Sequence, residues 1–305
     1  MASGHEAKNN RLVKFAVIII VCLALIGAAA YVVLHTPDDA KPKPGSATTA
    51  SSSINIGVNI NDSPGFSVTH DGQRSGFEID LANYVANELK RHPNFVPITI
   101  DSRGRQLQQG YVDMVVSIYS ITDERIAEGI IFAGPYIRTD QGILTTQAND
   151  TIQSIGDLAG KTVCATRGST STNKLNELKK TVALIIAERD TLTQCIEDMK
   201  NTSSSVAAVT SDAVVLQGHA RSDPSLRYVP GIVIPGTYEK YGIGLAKRNM
   251  QLCHQVASLL KDFVNTQWNS AFSANLQGPG VANASQLKPE PSSIDTEACR
   301  TIDQH

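Results

Sequence analysis

The chain has 305 residues, enough for one large domain or two ordinary ones, and 41% of them are apolar, which is sufficient for a packed core. Its formal net charge is −2, and Lys and Arg form no basic stripe. Aromatic residues account for only 5%, with a single Trp. A nucleic-acid-binding surface needs clustered cations or stacking aromatics, so these values exclude that class of partner.

The first predicted element is a membrane span. Residues 16–34 are uncharged, and Lys8, Arg11 and Lys14 precede them. At about 1.5 Å per residue, a helix of this length crosses a hydrocarbon core of about 30 Å. The positive residues hold the preceding end in the cytoplasm. The sequence therefore predicts a cytoplasmic N-terminus at 1–15, a single-pass transmembrane signal anchor at 16–34 and an extracytoplasmic remainder.

Two features bear on how this span is processed. Ala28–Ala30 provides the small residues of a signal-peptidase site, so cleavage is the alternative to an uncleaved anchor. Cys22 follows Val21, where a lipoprotein signal would have a small residue, so lipidation is not predicted. Residues 35–53 are rich in Pro, Lys, Ala, Ser and Thr without apolar periodicity, which predicts a flexible stalk.

Short apolar runs alternate with amphipathic stretches after the stalk. Ile54–Val58 is typical of a strand, and Leu81, Val85 and Leu89 form one face of a helix. Val112–Ile118 is almost continuously apolar, as expected of a strand covered on both faces. The same patterns predict strands at Lys161–Thr166, Val206–Val209 and Tyr241–Ala246 and helices through Leu192–Met199 and Leu252–Phe263. This alternation favours an α/β fold with mainly parallel sheets, arranged as one large sheet or two lobes.

Four cysteines follow the predicted span: Cys164, Cys195, Cys253 and Cys299. In an oxidising compartment an even number predicts two disulfides, for which three sets of pairings exist. Proximity along the chain favours Cys164–Cys195 and Cys253–Cys299. No CxxC spacing or neighbouring His pair supports a zinc site, so no metal is expected. The tail at 277–305 is predicted to be irregular and tied down by Cys299.

The segment Ser117–Arg125 carries the clearest functional signal. Thr122 is suited to cap a helix, with its hydroxyl accepting from the backbone of Glu124 or Arg125, and Asp123 and Glu124 suit the positive helix end. Arg125 would then follow a buried strand, at the edge where α/β folds bind ligands. Its planar guanidinium matches a carboxylate in two parallel hydrogen bonds. A surface Arg paired with a nearby acid is the alternative.

Five segments, taken in order, resemble family 3 extracellular solute-binding proteins, the amino-acid-binding components of ABC importers. They are Gly76–Ala82 (GFEIDLA), Leu107–Arg125 (LQQGYVDMVVSIYSITDER), Phe132–Tyr136 (FAGPY), Asp157–Ser171 (DLAGKTVCATRGSTS) and Tyr241–Lys247 (YGIGLAK). The resemblance covers roughly residues 54–268. It is nearest to actinobacterial members associated with glutamate, glutamine, asparagine and aspartate.

The resemblance implies a two-lobe fold of the type II periplasmic-binding-protein class, in which each lobe is a mainly parallel sheet with flanking helices. Lobe 1 is then expected at 54–140 and 241–276, and lobe 2 at 141–240. The two hinge crossings are expected near 139–145 and 237–242.

Residue roles follow from the same resemblance. Arg125 looks like the residue that clamps the α-carboxylate of an amino acid, with Ser120 and Ser117 beside it. Lobe 2 would supply a loop whose backbone N–H groups, at a helix N-terminus, meet the same carboxylate. The residues of that loop are Gly168, Ser169 and Thr170. An ordinary capped helix start is the alternative for this loop.

Two further residues complete the expected site. Asp212 matches the acid that pairs with the α-ammonium group, although it is also suited to be a helix N-cap. Arg103 would face the ligand side chain and favour a carboxylate or an amide, that is Glu, Gln, Asp or Asn. A solvated Arg at a helix start is the alternative for Arg103, and Arg105 is a rival for the role.

The expected function is extracytoplasmic capture of such an amino acid for an ABC permease and, indirectly, its ATPase. A membrane-tethered sensor that reports to a signalling membrane protein is the second hypothesis, and a dehydratase on the same fold is the third. No GxSxG, HExxH or Walker motif occurs, so the protein is not expected to be an enzyme or to need a cofactor. Its expected location is the cell membrane, with the binding domain on the extracytoplasmic side.

Overall fold

A computed structural model describes residues 53–236, 238–278 and 283–302. They belong to a compact unit that begins at residue 51. The predicted N-terminal segment and signal anchor lie outside the described residues, as does the predicted stalk up to residue 52. Within the described ranges, none of the helices combines the length and apolar character that a membrane span requires.

The described residues form strands and helices in regular alternation. The strands are β1 (Ser53–Asn59), β2 (Val68–His70), β3 (Gln73–Ser75), β4 (His92–Ile98), β5 (Met114–Val115), β6 (Ile130–Thr139), β7 (Gln141–Thr146), β8 (Thr162–Thr166), β9 (Ile185–Arg189), β10 (Val206–Asp212), β11 (Leu226–Tyr228) and β12 (Glu239–Ala246). The helices are α1 (Phe77–Glu88), α2 (Arg103–Gln109), α3 (Asp123–Ala127), α4 (Thr170–Leu178), α5 (Leu192–Lys200), α6 (Ala213–Ser222), α7 (Met250–Thr266), α8 (Trp268–Asn275), α9 (Ala284–Leu287) and α10 (Pro291–Glu297).

Two five-stranded sheets organise the molecule into the two expected lobes. The first has the order β4-β1-β5-β12-β6 and the second β11-β7-β10-β8-β9. The chain leaves the first sheet after Thr139, enters the second at Gln141 and returns at Glu239. Each lobe is therefore defined here by its sheet, which makes the first lobe discontinuous in sequence.

In each sheet four of the five strands run in the same direction, which agrees with the prediction of mainly parallel sheets, and one strand, β12 in the first and β7 in the second, runs the opposite way. In the first sheet β1 pairs in parallel with β4 and β5, whereas β12 is antiparallel to β5 and β6. In the second, β8 is parallel to β9 and β10, whereas β7 is antiparallel to β10 and β11. The antiparallel pairs involve the strands next to the crossings, because a chain that runs directly from one sheet into the other does not make a helical crossover.

Two predicted elements differ from the structure. The strand predicted at Val112–Ile118 is shortened to β5, because Ile118 has a φ of 47° and turns the backbone out of the sheet. The tail predicted to be irregular contains α9 and α10; the latter begins with Pro291 in its first turn, where a missing N–H costs nothing. The ion pairs Lys240–Glu297 and Lys261–Asp295 hold α10 against the first lobe.

Both disulfides have the predicted pairing. Cys164–Cys195 links β8 to α5 inside the second lobe, and Cys253–Cys299 fastens the tail to α7 in the first. Each lobe has its own apolar core. Helix α6 contributes to both lobes: it packs on β7, β10 and β11, while Val214 and Val215 belong to the core of the first lobe.

Candidate functional site

A polar cavity lies between the lobes, at the carboxyl ends of the parallel strands. It has about 640 Å³ of empty volume, counting space open to solvent. Its wall follows β1 (Asn59, Ile60, Asn61, Asp62, Ser63), β4 (Thr99, Ile100), β8 (Thr166), β9 (Asp190, Thr191, Leu192, Thr193) and β10 (Ser211, Asp212). Ligands of α/β folds bind at this edge, because the loops and helix N-termini that follow the strands converge there.

The cavity gathers most of the residues that the sequence singled out. Those on its wall are Arg103, Ser120, Arg125, Ser169, Thr170 and Asp212. Ser117 and Gly168 are not on the wall. Ser117 is completely buried with its hydroxyl unpartnered, and its contact with the ligand remains a prediction. The carbonyl of Gly168 instead accepts a hydrogen bond from Arg125, and its φ of 71° is left-handed.

The guanidinium of Arg125 is held from several directions. The hydroxyl of Thr122 accepts from the backbone N–H of Arg125 at 3.2 Å, which confirms the predicted cap. Nη1 donates to the carbonyl of Ser120 at 2.5 Å, and Nη2 reaches the second lobe, donating to the carbonyl of Gly168 at 3.2 Å. The guanidinium carbon lies 4.7 Å from the centre of the Tyr119 ring. Burial lowers the pKa of Arg125, which nevertheless stays a cation at physiological pH.

Arg103 is more deeply buried, with 2% of its surface exposed. Its Nε donates to the carbonyl of Ile100 at 2.8 Å, and Nη1 donates to those of Ser117 and Ile118 at 2.9 and 2.8 Å. Burial, followed by the charge of Arg125, lowers its pKa to about 9. These bonds stabilise the left-handed turn after β5. The predicted role of Arg103 toward the ligand side chain remains a prediction.

The second lobe contributes the start of α4. Ser169 precedes the helix, and its hydroxyl donates to the carbonyl of Thr166 at 2.6 Å instead of capping the helix. Thr170 and Ser171 follow on the cavity wall, in the first turn of α4. The first backbone N–H groups of a helix have no partner within it, and the helix dipole favours an anion there. This end of the cavity can therefore hold a carboxylate.

Asp212 also lies on the cavity wall. It is 5% exposed, and its Oδ2 accepts from the hydroxyl of Tyr241 at 2.5 Å, whereas Oδ1 has no hydrogen-bond partner. It precedes α6 but makes no capping bond, so the alternative of a structural N-cap is not met. Burial, followed by the charge of Glu239, raises its pKa to about 7. A buried carboxylate oxygen without a donor is suited to a cationic ligand group.

Sequence reasoning missed the wall segment after β9. The hydroxyl of Thr191 accepts from the backbone N–H of Gln194, and Oε1 of Gln194 accepts from the backbone N–H of Thr191, so the two form a capping box at the start of α5. That Thr-x-x-Gln pattern, placed after a strand, was a signal the sequence contained. Asp190 in the same segment is paired with Arg167. Phe66, in the loop after β1, is fully buried in the core of the first lobe.

Comparison with known proteins agrees with this architecture. The family model for bacterial extracellular solute-binding proteins, family 3, matches residues 54–275. The glutamate-binding protein GluB of Corynebacterium glutamicum is 32% identical over 217 residues, which are 67% of this chain and 72% of GluB. An ancestral arginine-binding protein, solved with arginine and with glutamine, matches 74% of this chain with a TM-score of 0.66 and 27% identity; 99% and 98% of those two chains are covered. The chain belongs to the bacterial extracellular solute-binding proteins of family 3.

Proposed function

We propose that the protein binds a small polar or acidic amino acid (Glu, Gln, Asp or Asn) outside the cytoplasm for ABC-type import. The observation that carries the proposal is the placement of Arg125 and Asp212 on the wall of one cavity, together with the absence of a hydrogen-bond partner for Oδ1 of Asp212. A guanidinium and a carboxylate in one site complement the two charges of a zwitterion. The relatives support this ligand class, since they include proteins named for glutamate binding and for glutamine binding.

Hinge closure would couple binding to transport. Arg125 and Ser120 come from the first lobe, and Ser169, Thr170 and Asp212 from the second. A ligand that contacts both lobes stabilises the closed state selectively, and moving the population from 1:99 to 99:1 takes about a 10⁴-fold preference. We place lobe 1 at 54–140 and 241–276, lobe 2 at 141–240, and the rotation at the two crossings.

Replacement of Arg125 tests the site. Arg125→Ala removes the cation but leaves Thr122 free to cap α3, so we expect a folded protein whose affinity for L-glutamate and L-glutamine falls at least about a hundredfold in calorimetry. Arg105→Ala is the matched control, since Arg105 is an exposed arginine of the neighbouring helix and is not on the cavity wall. Equal affinities of Arg125→Ala and the wild-type protein would contradict the proposal.

We further propose that residues 16–34 anchor the protein in the cell membrane, with the binding domain outside, so that it can deliver ligand to an integral-membrane ABC permease. The uncharged run and the preceding basic residues support this orientation. Protease treatment of intact cells tests it: the binding domain should be cleaved while the N-terminus stays protected and membrane-bound. Release of the full-length chain in the soluble fraction would contradict it.

A further inference from the structure

A buried ion pair lies outside the predicted site. The Nζ of Lys174 is 2.7 Å from Oε1 of Glu239, and the two side chains are only 14% and 5% exposed. Lys174 belongs to α4, which packs on strands β8 to β10 of the second sheet, whereas Glu239 opens β12 of the first sheet. The pair therefore ties α4 of the second lobe to the crossing by which the chain returns to the first sheet.

Glu239 lies close to Asp212. Side chains two residues apart on a strand share one face, so Glu239 lies on the same face of β12 as Tyr241, whose hydroxyl donates to Oδ2 of Asp212. The backbone gives the same placement: Glu239 pairs with Thr139 and Asp212 pairs with Gln141, so the two acids flank the single residue that separates β6 from β7.

The groups around Asp212 shift its pKa in opposite directions. Glu239, from β12, raises its pKa in addition to burial. The hydrogen bond from Tyr241 on the same strand, the ammonium of Lys174 on α4 and the guanidinium of Arg125 on α3 all lower it. Lys174 is the cation paired with Glu239, so its loss would leave two carboxyl groups beside each other with less positive charge to separate their titrations.

The side chain of Lys174 runs past Gly236 on its way to Glu239. A methyl group built on Gly236 would lie 3.2 Å from Cε of Lys174, so the side chain runs over the segment that leads into β12. Gly236 has a φ of 143°, a conformation that other residues rarely adopt. This contact directs the ammonium group at Glu239.

We propose that Lys174 and Glu239 are positioning residues for the ammonium site: Lys174 balances the charge of Glu239, so that Asp212 stays a carboxylate and can receive the ammonium group of the ligand. The inference rests on the proposed amino-acid site and adds two residues that act through Asp212 without being on the cavity wall. It also makes the ion pair a link between closure of the lobes and recognition of a cation.

The test uses Lys174→Met, Glu239→Gln and the double variant. In ligand-free protein, the ¹³C signal of the Asp212 carboxyl carbon should titrate about one pH unit higher in Lys174→Met, because an uncompensated Glu239 favours the protonated form. In calorimetry with L-glutamine, the Kd of the same variant should rise about fivefold at pH 7, because the ionised fraction of Asp212 falls from about one half to about one tenth, and much less at pH 9. The double variant should return both measurements close to the wild-type values. Lys180→Met is the control, since Lys180 follows α4 and pairs with Glu177 at the surface.

Three results would overturn the inference: an unchanged titration of Asp212 in Lys174→Met, a loss of affinity that is the same at both pH values, or a double variant as weak as the single one. Where Lys174→Met does not fold, Glu239→Gln serves alone, and its Asp212 titration should move to lower pH; no movement contradicts the inference. The titration needs no ligand, so it fails or succeeds independently of the Arg125→Ala experiment that tests the binding function.

Discussion

The two walls of the cavity differ in how completely their charges are satisfied. On the first lobe, Arg103 and Arg125 donate to backbone carbonyls and both lie against Tyr119. On the second lobe, one oxygen of Asp212 is buried without a partner. The first wall is therefore preorganised, which reduces the entropy lost on binding. On the second wall, a ligand can supply the hydrogen-bond donor that Asp212 lacks.

The largest loss of ligand affinity is expected from removing the charge of Asp212 on the second wall. Asp212→Asn keeps the shape and an acceptor for Tyr241 but removes the charge, so amino-acid affinity should fall by about 2–4 kcal/mol, roughly a hundredfold in calorimetry. A carboxyl whose pKa is raised by folding destabilises the folded state above that pKa. Thermal unfolding at pH 8 should therefore show a variant at least as stable as the wild type. Asp71→Asn is the control, because Asp71 is an exposed carboxylate that is not on the cavity wall. A large loss of stability in Asp212→Asn would indicate a structural role instead.

The pH dependence of binding tests whether ionised Asp212 is the group that pairs with the ligand. Asp212 has a pKa near 7, and only its ionised form pairs with an ammonium group. Below that pH a proton competes with the ligand, so Kd should rise by up to about tenfold per pH unit, and it should level off at higher pH. Calorimetry of the wild-type protein between pH 5.5 and 8.5 measures this slope. The Asp212→Asn variant should have a flat profile, and an equally steep one would assign the titration to another group.

A smaller effect is expected at Gly168, where the two walls meet. A methyl group on Gly168 would lie 2.8 Å from Cα of Asp101 in the first lobe. Gly168→Ala should therefore hinder closure and weaken ligand binding by about 1–1.5 kcal/mol, close to tenfold. Gly160→Ala is a matched control, because Gly160 has the same φ of 71° with no atom near the added methyl. Equal ligand affinities of the two variants would show that contact between the lobes is not the cause of the loss of affinity in Gly168→Ala.

Local patterns predicted much of the fold and part of the site. Apolar periodicity located β1, α1 and α7, because each is decided by residues close in sequence. The cap at Thr122 was predictable for the same reason. The early end of β5 was not: the N–H of Ile118 donates to Glu78, a carboxyl group in another element that is buried and has its pKa raised to about 7, chiefly by burial.

The features that sequence reasoning missed depend on long-range contacts. Lys174 and Glu239 are separated by a full strand–helix series, and nothing in the sequence near either residue indicates the partner. Ser117 was expected beside Arg125 from the resemblance to family 3 proteins, but the turn at Ile118 leaves its side chain in the interior. Burial of a polar side chain is decided by what packs on it, which periodicity does not report.

Helix α6 sets a geometric limit on how the cavity can open. Its first turns place Val214 and Val215 in the core of the first lobe, and Gly218 comes so close to the carbonyl oxygen of Pro64 that a methyl group there would lie 2.5 Å away. Separating these surfaces would expose apolar area, so a low-energy opening leaves them together. Rotation at the two proposed crossings would therefore widen the gap elsewhere between the lobes, as at Gly168 and Asp101, where they also lie close together.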